Sequence, residues 1–189
     1  QAKKMTALVG DLRSAAEGKK AEEREATEFD FDNFLKREVD ELSYVIEQKL
    51  VLTGSTKKKI STDELRLGQV VSNLIRNAAK YSPTDKDIEI KSSVKDNNII
   101  VEFADHGVGI SEADQKHLFE KYFRSQSVKS KIEGLGLGLS ICHEIIESMG
   151  GKIWVESKLG HGSQFFISLP FSRVKPTQTI KKQRQYSDV

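Results

Sequence analysis

The chain lacks the features that define several protein classes. It has a single cysteine, Cys142, so an internal disulfide is excluded. It has no apolar run long enough to cross a membrane and no secretory signal peptide. Neither sign of charge dominates, since 30 basic residues face 28 acidic residues and the net charge is +2. A general attraction to nucleic acid is therefore not expected, and any anion-binding site must be local.

The composition is that of a globular domain with a strongly solvated surface. Hydrophobic residues make up 37% and charged residues 31% of the 189 positions. Cys142 lies in an apolar helical pattern and is interpreted as a buried small hydrophobic residue, which fits a reducing setting. We expect a cytoplasmic location and no membrane contact by this segment. Because the sequence begins in what resembles the middle of a helix, we expect a fragment whose parent can carry a membrane anchor upstream.

Hydrophobic periodicity predicts alternating helices and strands. The predicted helices span about 32–49, 64–80, 111–119 and 139–149, and Asp30 or Asp32 is expected to cap the first of them. The predicted strands are 50–52, 59–61, 88–94, 99–104, 152–156 and 164–169. This order predicts an α/β domain whose helices pack on one face of a mixed sheet.

Three regions are predicted along the chain. Residues 1–29 hold a short helix, with an apolar stripe that needs a partner, and a charged linker. Residues 30–172 form the α/β domain. Residues 173–189 contain five basic residues and one Asp, and we expect a disordered tail, with a polybasic contact to an acidic partner as the alternative.

The helix predicted over 64–80 carries polar residues on one face. Asn73, Asn77 and Lys80 recur at spacings of four and three residues. Amide oxygens are hard ligands for Mg²⁺, and a lysine supplies a point charge to a phosphate. An exposed polar stripe is the competing interpretation of this segment alone.

A second polar segment, DHGVG, follows the strand predicted over 99–104. A carboxylate at a strand end, here Asp105, can accept a hydrogen bond from an exocyclic amine. Gly107 and Gly109 would let the backbone approach a flat ligand closely. The pattern is weak alone, because Asp and Gly are common in turns.

Two further segments complete the pattern. FEKYFR ends at Arg124, where a polar stretch over 125–133 begins, and this arginine could reach a phosphate. GLGLGL, over 134–139, then leads into a helix, whose free N-terminal amides form an anion site. It is neither a P-loop, since no G-K-[ST] follows, nor a dinucleotide fingerprint, since no strand precedes it closely.

In order and spacing, these four segments resemble the N box, first glycine box, F box and second glycine box of histidine kinases. The resemblance covers about residues 30–172 and is closest in DELRLGQVVSNLIRNAAKYS and GLGLGLSICHEIIESMGGKIWVESKLGHGSQFFISLP. The fold it implies is the Bergerat-type two-layer α/β sandwich shared with gyrase-type ATPases, and the cofactors it implies are ATP and Mg²⁺.

The resemblance also implies a role for each matching residue. Asn77 would bind Mg²⁺, supported by Asn73, while Lys80 would contact phosphate and Tyr81 would lie near adenine or ribose. Asp105 would accept from the adenine amine. The other implied nucleotide contacts are Gly107, Gly109, Ile110, Arg124, Gly134, Leu135, Gly136, Leu137 and Gly138. The residues implied to serve catalysis are Asn73, Lys80 and Arg124, and residues 125–133 would form a lid over ATP.

Three positions depart from the family pattern. The family often has Asn or Thr at His106, Pro at Val108, and Thr or Ser at Leu135. The leucine removes a hydroxyl that could contact the nucleotide. These departures concern the affinity for the nucleotide more than the assignment to the family.

The residue at position 73 favours a kinase over an ATPase. Gyrase-type relatives usually carry a Glu four residues before the Mg²⁺-binding Asn, where it activates water as a general base. An amide such as that of Asn73 cannot take a proton at neutral pH. Bound ATP should therefore be hydrolysed slowly and kept for transfer to a histidine, whose imidazole is already a nucleophile.

The acceptor histidine implied by the family is not in this sequence, since no histidine precedes His106. The family places it on an upstream helical hairpin, which also dimerises the parent, and relays the phosphate to an aspartate of a response regulator. A gyrase-type ATPase, a degenerate nucleotide-binding regulatory domain and a plain interaction module stay as alternatives.

Overall fold

The helices form close to where periodicity places them. A computed structural model describes residues 26–125 and 135–171. Its helices are α1 (Phe31–Ser43), α2 (Glu64–Tyr81), α3 (Glu112–Gln115) and α4 (Gly138–Ser148). None of the helices within these ranges is long and apolar enough to cross a membrane.

The strands form one mixed sheet and one small ribbon. They are β1 (Thr27–Asp30), β2 (Leu50–Gly54), β3 (Lys59–Thr62), β4 (Ile88–Lys95), β5 (Asn98–Asp105), β6 (Lys152–Ser157) and β7 (Ser163–Pro170). The five-stranded sheet has the order β2-β4-β5-β7-β6, in which only the β2–β4 pair is parallel. Strands β1 and β3 pair separately as an antiparallel ribbon.

The core lies between one face of the sheet and the helices. Alternate residues of β4, β5 and β7 are buried, as expected for a sheet with one covered face. They meet the apolar stripes of the helices, and the most buried members are Phe31, Leu67, Val70, Val71, Ile75, Ile88, Ile90, Ile99, Val101, Ile146, Ile167 and Leu169. The predicted two-layer α/β fold with a mixed sheet is confirmed.

Three elements differ from their predicted form. Helix α1 ends at Ser43 rather than near Lys49, because the chain turns over residues 44–49 to bring β2 alongside β4, where the Lys49 carbonyl accepts from the Ile88 N–H. Helix α3 ends at Gln115 rather than near Phe119, and turns follow it. Strand β1 was not predicted, because Phe29 is the one apolar residue among its four and its pairing with β3 is a long-range contact.

The structure also resolves the choice between two capping residues. Asp30 caps α1, since its Oδ1 accepts from the Asn33 N–H at 2.9 Å. Asp32 lies inside the helix and instead binds the loop between β2 and β3. The helix predicted in 1–17, the tail over 173–189, residues 126–133 of the predicted lid, and Gly134 lie outside the described residues.

Candidate functional site

Helix α2 presents its polar face to a cavity of about 150 Å³. Asp63 caps the helix by accepting from the Arg66 N–H, and an apolar stripe turns the opposite face toward the sheet. Asn73, Asn77 and Lys80 line the cavity, together with Tyr81. The helix therefore brings two amides and an ammonium to one wall.

The remaining predicted segments meet the same cavity. Asp105, Gly109 and Ile110 line it at and after the end of β5. Arg124 ends the predicted F box, Gly136 lies before α4, and Gly138 begins that helix. Residues of all four segments that the sequence singled out thus share one concave site.

Asp105 is a buried carboxylate at the end of β5. Its side chain is 6% exposed, and its Oδ1 accepts from the Gly107 N–H at 2.7 Å. Burial raises the pKa of this carboxyl, against the opposing effect of hydrogen bonds from the backbone of Gly107 and Ser163. The group is thus an acceptor held in surroundings that disfavour its charge, where a donor from a ligand would be worth more than in water.

Gly107 does not line the cavity. A glycine is needed at this position because the surrounding atoms leave no room for a side chain. A Cβ at this position would run into the Tyr81 carbonyl and would lie 2.8 Å from Asp105 Oδ1. Only glycine lets the end of α2 and the loop after β5 come this close. Gly109 has a φ of +69°, and a Cβ there would meet the Lys158 carbonyl.

Asn73 is held between two residues of α4. Its Nδ2 donates to Cys142 Sγ at 3.1 Å, and a Cβ on Gly138 would lie 2.8 Å from the same Nδ2. Burial raises the pKa of the Cys142 thiol to about 12, so the thiol is neutral and structural. This confirms the interpretation of Cys142 as a buried, inert residue.

Two cationic side chains lie near the Tyr81 ring. Lys80 Nζ is 5.6 Å from the ring centroid. Burial raises the pKa of the Tyr81 phenol, and the positive charge of Arg124 opposes that rise. The cavity therefore has positive charge on the wall formed by the end of α2 and by the segment after α3.

The second glycine segment is only partly at the cavity. Gly136 lines it with a φ of +70°, and its carbonyl accepts from the Tyr122 N–H at 2.9 Å. Leu137 is buried as the residue before α4, and neither it nor Leu135 lines the cavity.

Several lining residues were not predicted as site residues. They are Val108, Leu118, Phe123, Leu139, Ser163 and Phe165, whereas Ser125, which also lines the cavity, begins the predicted lid. Ser163 reaches the site because it pairs with Asp105 in the β5–β7 register. That register depends on a contact between distant segments, so no local sequence signal marks Ser163. Phe123 lies in a segment that was singled out, but its aromatic residues were interpreted as core.

The comparisons with known proteins agree with this geometry. The family described as histidine kinase-, DNA gyrase B-, and HSP90-like ATPase matches residues 62–173, more than half of the chain. The adaptive-response sensory kinase SasA of Synechococcus sp. (strain JA-2-3B'a(2-13)) is 33% identical over 183 residues. The match covers 92% of this chain and 48% of SasA, so the chain spans about half the length of this relative.

Solved structures of kinases share the fold. Full-length ShkA, in complex with AMPPNP, superposes with a TM-score of 0.74 at 25% identity, covering 89% of this chain and 36% of ShkA. The catalytic domain of histidine kinase ThkA, in a nucleotide-free form, gives a TM-score of 0.66 at 27% identity, covering 78% of this chain and 97% of that domain. This chain is therefore a member of the family of histidine kinase-, DNA gyrase B- and HSP90-like ATPases, with a domain of the histidine kinase type.

Proposed function

We propose that the chain binds ATP with Mg²⁺ in this cavity and donates the γ-phosphate to a histidine on an upstream helical hairpin, for relay to a response regulator aspartate. The observation that carries the proposal is the shared cavity, which joins residues from all four predicted segments. Residues 30–172 would form the kinase domain and 1–29 the end of the hairpin, which would also dimerise the parent. Residues 173–189 would be a separate basic tail.

The chemistry of the cavity walls suits a purine nucleotide. Asp105 offers a buried acceptor to the adenine amine, and Gly109 and Ile110 lie beside it. Lys80 and Arg124 offer positive charge to the phosphates. A ligand with an amine at one end and anionic groups at the other matches this arrangement. AMPPNP in the related ShkA structure is in keeping with such a ligand.

The amides of α2 suit a metal that is bound through phosphates. The Asn77 amide oxygen would supply a hard ligand to Mg²⁺, with phosphate oxygens and water completing its shell. Asn73 would support the phosphates or that water from its place against Gly138 and Cys142. When bound, Mg²⁺ would neutralise part of the phosphate charge and orient the terminal phosphate.

The residues around the cavity favour transfer to histidine over hydrolysis. Among the described lining residues, Asp105 is the one carboxylate, and its side chain already accepts from the backbone of Gly107 and Ser163. Asn73 cannot take a proton from water. An incoming imidazole nitrogen would form the bond to the γ-phosphorus as the bond to the ADP oxygen breaks, while Lys80 and Arg124 stabilise the charge on the leaving group.

Phosphotransfer to a separately supplied hairpin tests the proposal. The chain is mixed with ATP labelled on the γ-phosphate, Mg²⁺ and a histidine kinase hairpin, with a hairpin lacking the histidine as the control. We expect acid-labile label on the histidine-containing hairpin alone. Steady phosphate release without any hairpin, at a rate that the hairpin does not change, would instead favour an ATPase.

A further inference from the structure

The C-terminal end of α2 lacks one of its backbone hydrogen-bond donors. The Ala78 carbonyl accepts from the Ser82 N–H at 3.0 Å. The next carbonyl, of Ala79, would pair four residues on with position 83 in a continuing helix, but Pro83 has no N–H. Ser82 is extended, with φ −92° and ψ 149°, as expected for a residue before proline.

Gln48 supplies the missing donor from another part of the chain. Its Nε2 donates to the Ala79 carbonyl at 2.8 Å and to the Ser82 carbonyl at 3.2 Å. The side chain is buried, since the residue is 5% exposed. Its position is fixed by the next residue, because the Lys49 carbonyl accepts from the Ile88 N–H at the start of β4.

The helix end that Gln48 holds carries one wall of the cavity. Lys80 and Tyr81 lie between the two carbonyls that Gln48 binds, and both line the cavity. The Tyr81 carbonyl packs against Gly107, where a Cβ would collide with the carbonyl oxygen. Ser82 Oγ accepts from the His106 N–H at 3.3 Å. The end of α2 that Gln48 binds therefore contacts the two residues that directly follow Asp105.

We propose that Gln48 is a positioning residue for the nucleotide site, acting through Lys80 and Tyr81. It lies in none of the four segments singled out in the sequence and does not line the cavity. By pairing the Ala79 carbonyl, which Pro83 leaves without a helical donor, and the Ser82 carbonyl beyond it, Gln48 keeps the last turn of α2 in the conformation that faces Asp105. The inference rests on the proposed function for its effect on ATP, and on the structure alone for its effect on the helix.

Gln48→Met tests the role, because methionine keeps the length of the side chain and loses both donors. In the ligand-free protein, the amide hydrogens of Lys80 and Tyr81 should exchange roughly ten times faster than in the parent. The affinity for ATP with Mg²⁺ should fall about ten-fold, since leaving a buried carbonyl unpaired costs enough to distort the wall. Val39→Ala is the matched control, because it destabilises the core through α1 and should leave that affinity unchanged.

Gln48→Glu adds a readout that a purely structural role would not produce. An ionised carboxylate cannot donate to the two carbonyls, whereas a protonated carboxyl can donate to one of them. The ratio of the variant's affinity for ATP to that of the parent should therefore rise as the pH falls. The parent, measured at each pH, removes the effect of the titration of ATP itself.

The outcomes separate the two proposals. Unchanged amide exchange in Gln48→Met overturns the role of Gln48, whether or not the parent binds ATP. Faster exchange with an unchanged affinity for ATP also overturns it, because the helix end would then not govern the site. Faster exchange in a chain whose parent shows no binding of ATP contradicts the proposed function and leaves Gln48 as the clamp of the helix end.

Discussion

Asp32 and Asp105 are two partly or fully buried carboxylates that the chain treats in different ways. Asp32 accepts from four donors of one loop, namely the hydroxyl and N–H of Thr56, the hydroxyl of Ser55 and the N–H of Lys57, at 2.6–3.0 Å. Burial acts to raise its pKa, but these hydrogen bonds together outweigh it and hold the pKa below the ordinary value. Its acceptor capacity is used by the protein itself.

Asp105 has the opposite balance. Burial is the largest influence and raises its pKa, while only the backbone of Gly107 and Ser163 donates to its side chain. It also lines the cavity, which Asp32 does not. A carboxylate whose acceptor sites are all used by its own chain, such as Asp32, fixes a loop. A buried carboxylate with few protein donors at a cavity wall, such as Asp105, can accept a hydrogen bond from a ligand.

Exchanging the Asp105 carboxylate for an amide should have the largest effect. In Asp105→Asn, the NH₂ group of the side-chain amide replaces one carboxylate oxygen and can face the adenine amine, donor against donor, so the affinity for ATP with Mg²⁺ should fall roughly 10- to 100-fold. The free energy of unfolding should change little, because two effects oppose each other. The variant no longer buries a charge, which stabilises the fold, but it loses one hydrogen-bond acceptor, which destabilises it. Calorimetric titration and urea unfolding measure the two quantities, and a variant that binds like the parent would remove Asp105 from the site.

Asn77 sharpens the comparison, because it contributes an oxygen without a charge. Asn77→Ala should weaken binding of ATP in the presence of Mg²⁺ by about ten-fold, since one metal ligand is lost. Chelation of Mg²⁺ should weaken binding to the parent and have little further effect on the variant. Equal losses on chelation in both proteins would place the metal away from Asn77.

Asp32→Asn should show the smallest effect on function and a clear effect on stability. The loss of charge-assisted acceptors should lower the free energy of unfolding by about 1–2 kcal/mol and leave the affinity for ATP unchanged. Because the pKa of Asp32 is lowered in the fold, its stabilisation is present above the ordinary value of 3.8 and is lost as the pH falls below it. Unfolding in acid should therefore be less pH-dependent for the variant, and a parallel decline in both proteins would contradict this role.

The fold could be predicted where one segment contains the whole signal. The apolar period of α2 and the cap at Asp63 place that helix within a residue or two, and alternation places β4 and β5 equally well. Strand β1 was missed because it depends on β3. The end of α1 was placed too late, because apolar residues such as Val45 continue the helical pattern beyond Ser43, although Val45 is 62% exposed where the chain turns toward the sheet.

The candidate site was predictable to the extent that its residues lie in local motifs. Asn73, Asn77 and Lys80 share a helix face by spacing alone, and the cavity contains all three. Ser163 and Gln48 carry no such signal, because one reaches Asp105 by strand register and the other reaches α2 across 31 residues of sequence. Contacts of this kind follow from the tertiary fold and not from any local pattern.

The central claim is that this one cavity takes ATP with its metal. Calorimetric titration of the parent chain with ATP, in the presence of Mg²⁺ and again after chelation, tests it most directly. The account predicts saturable binding of one ATP per chain that weakens when Mg²⁺ is removed. The absence of saturable binding under both conditions, in a protein shown to be folded by its cooperative unfolding, would contradict it.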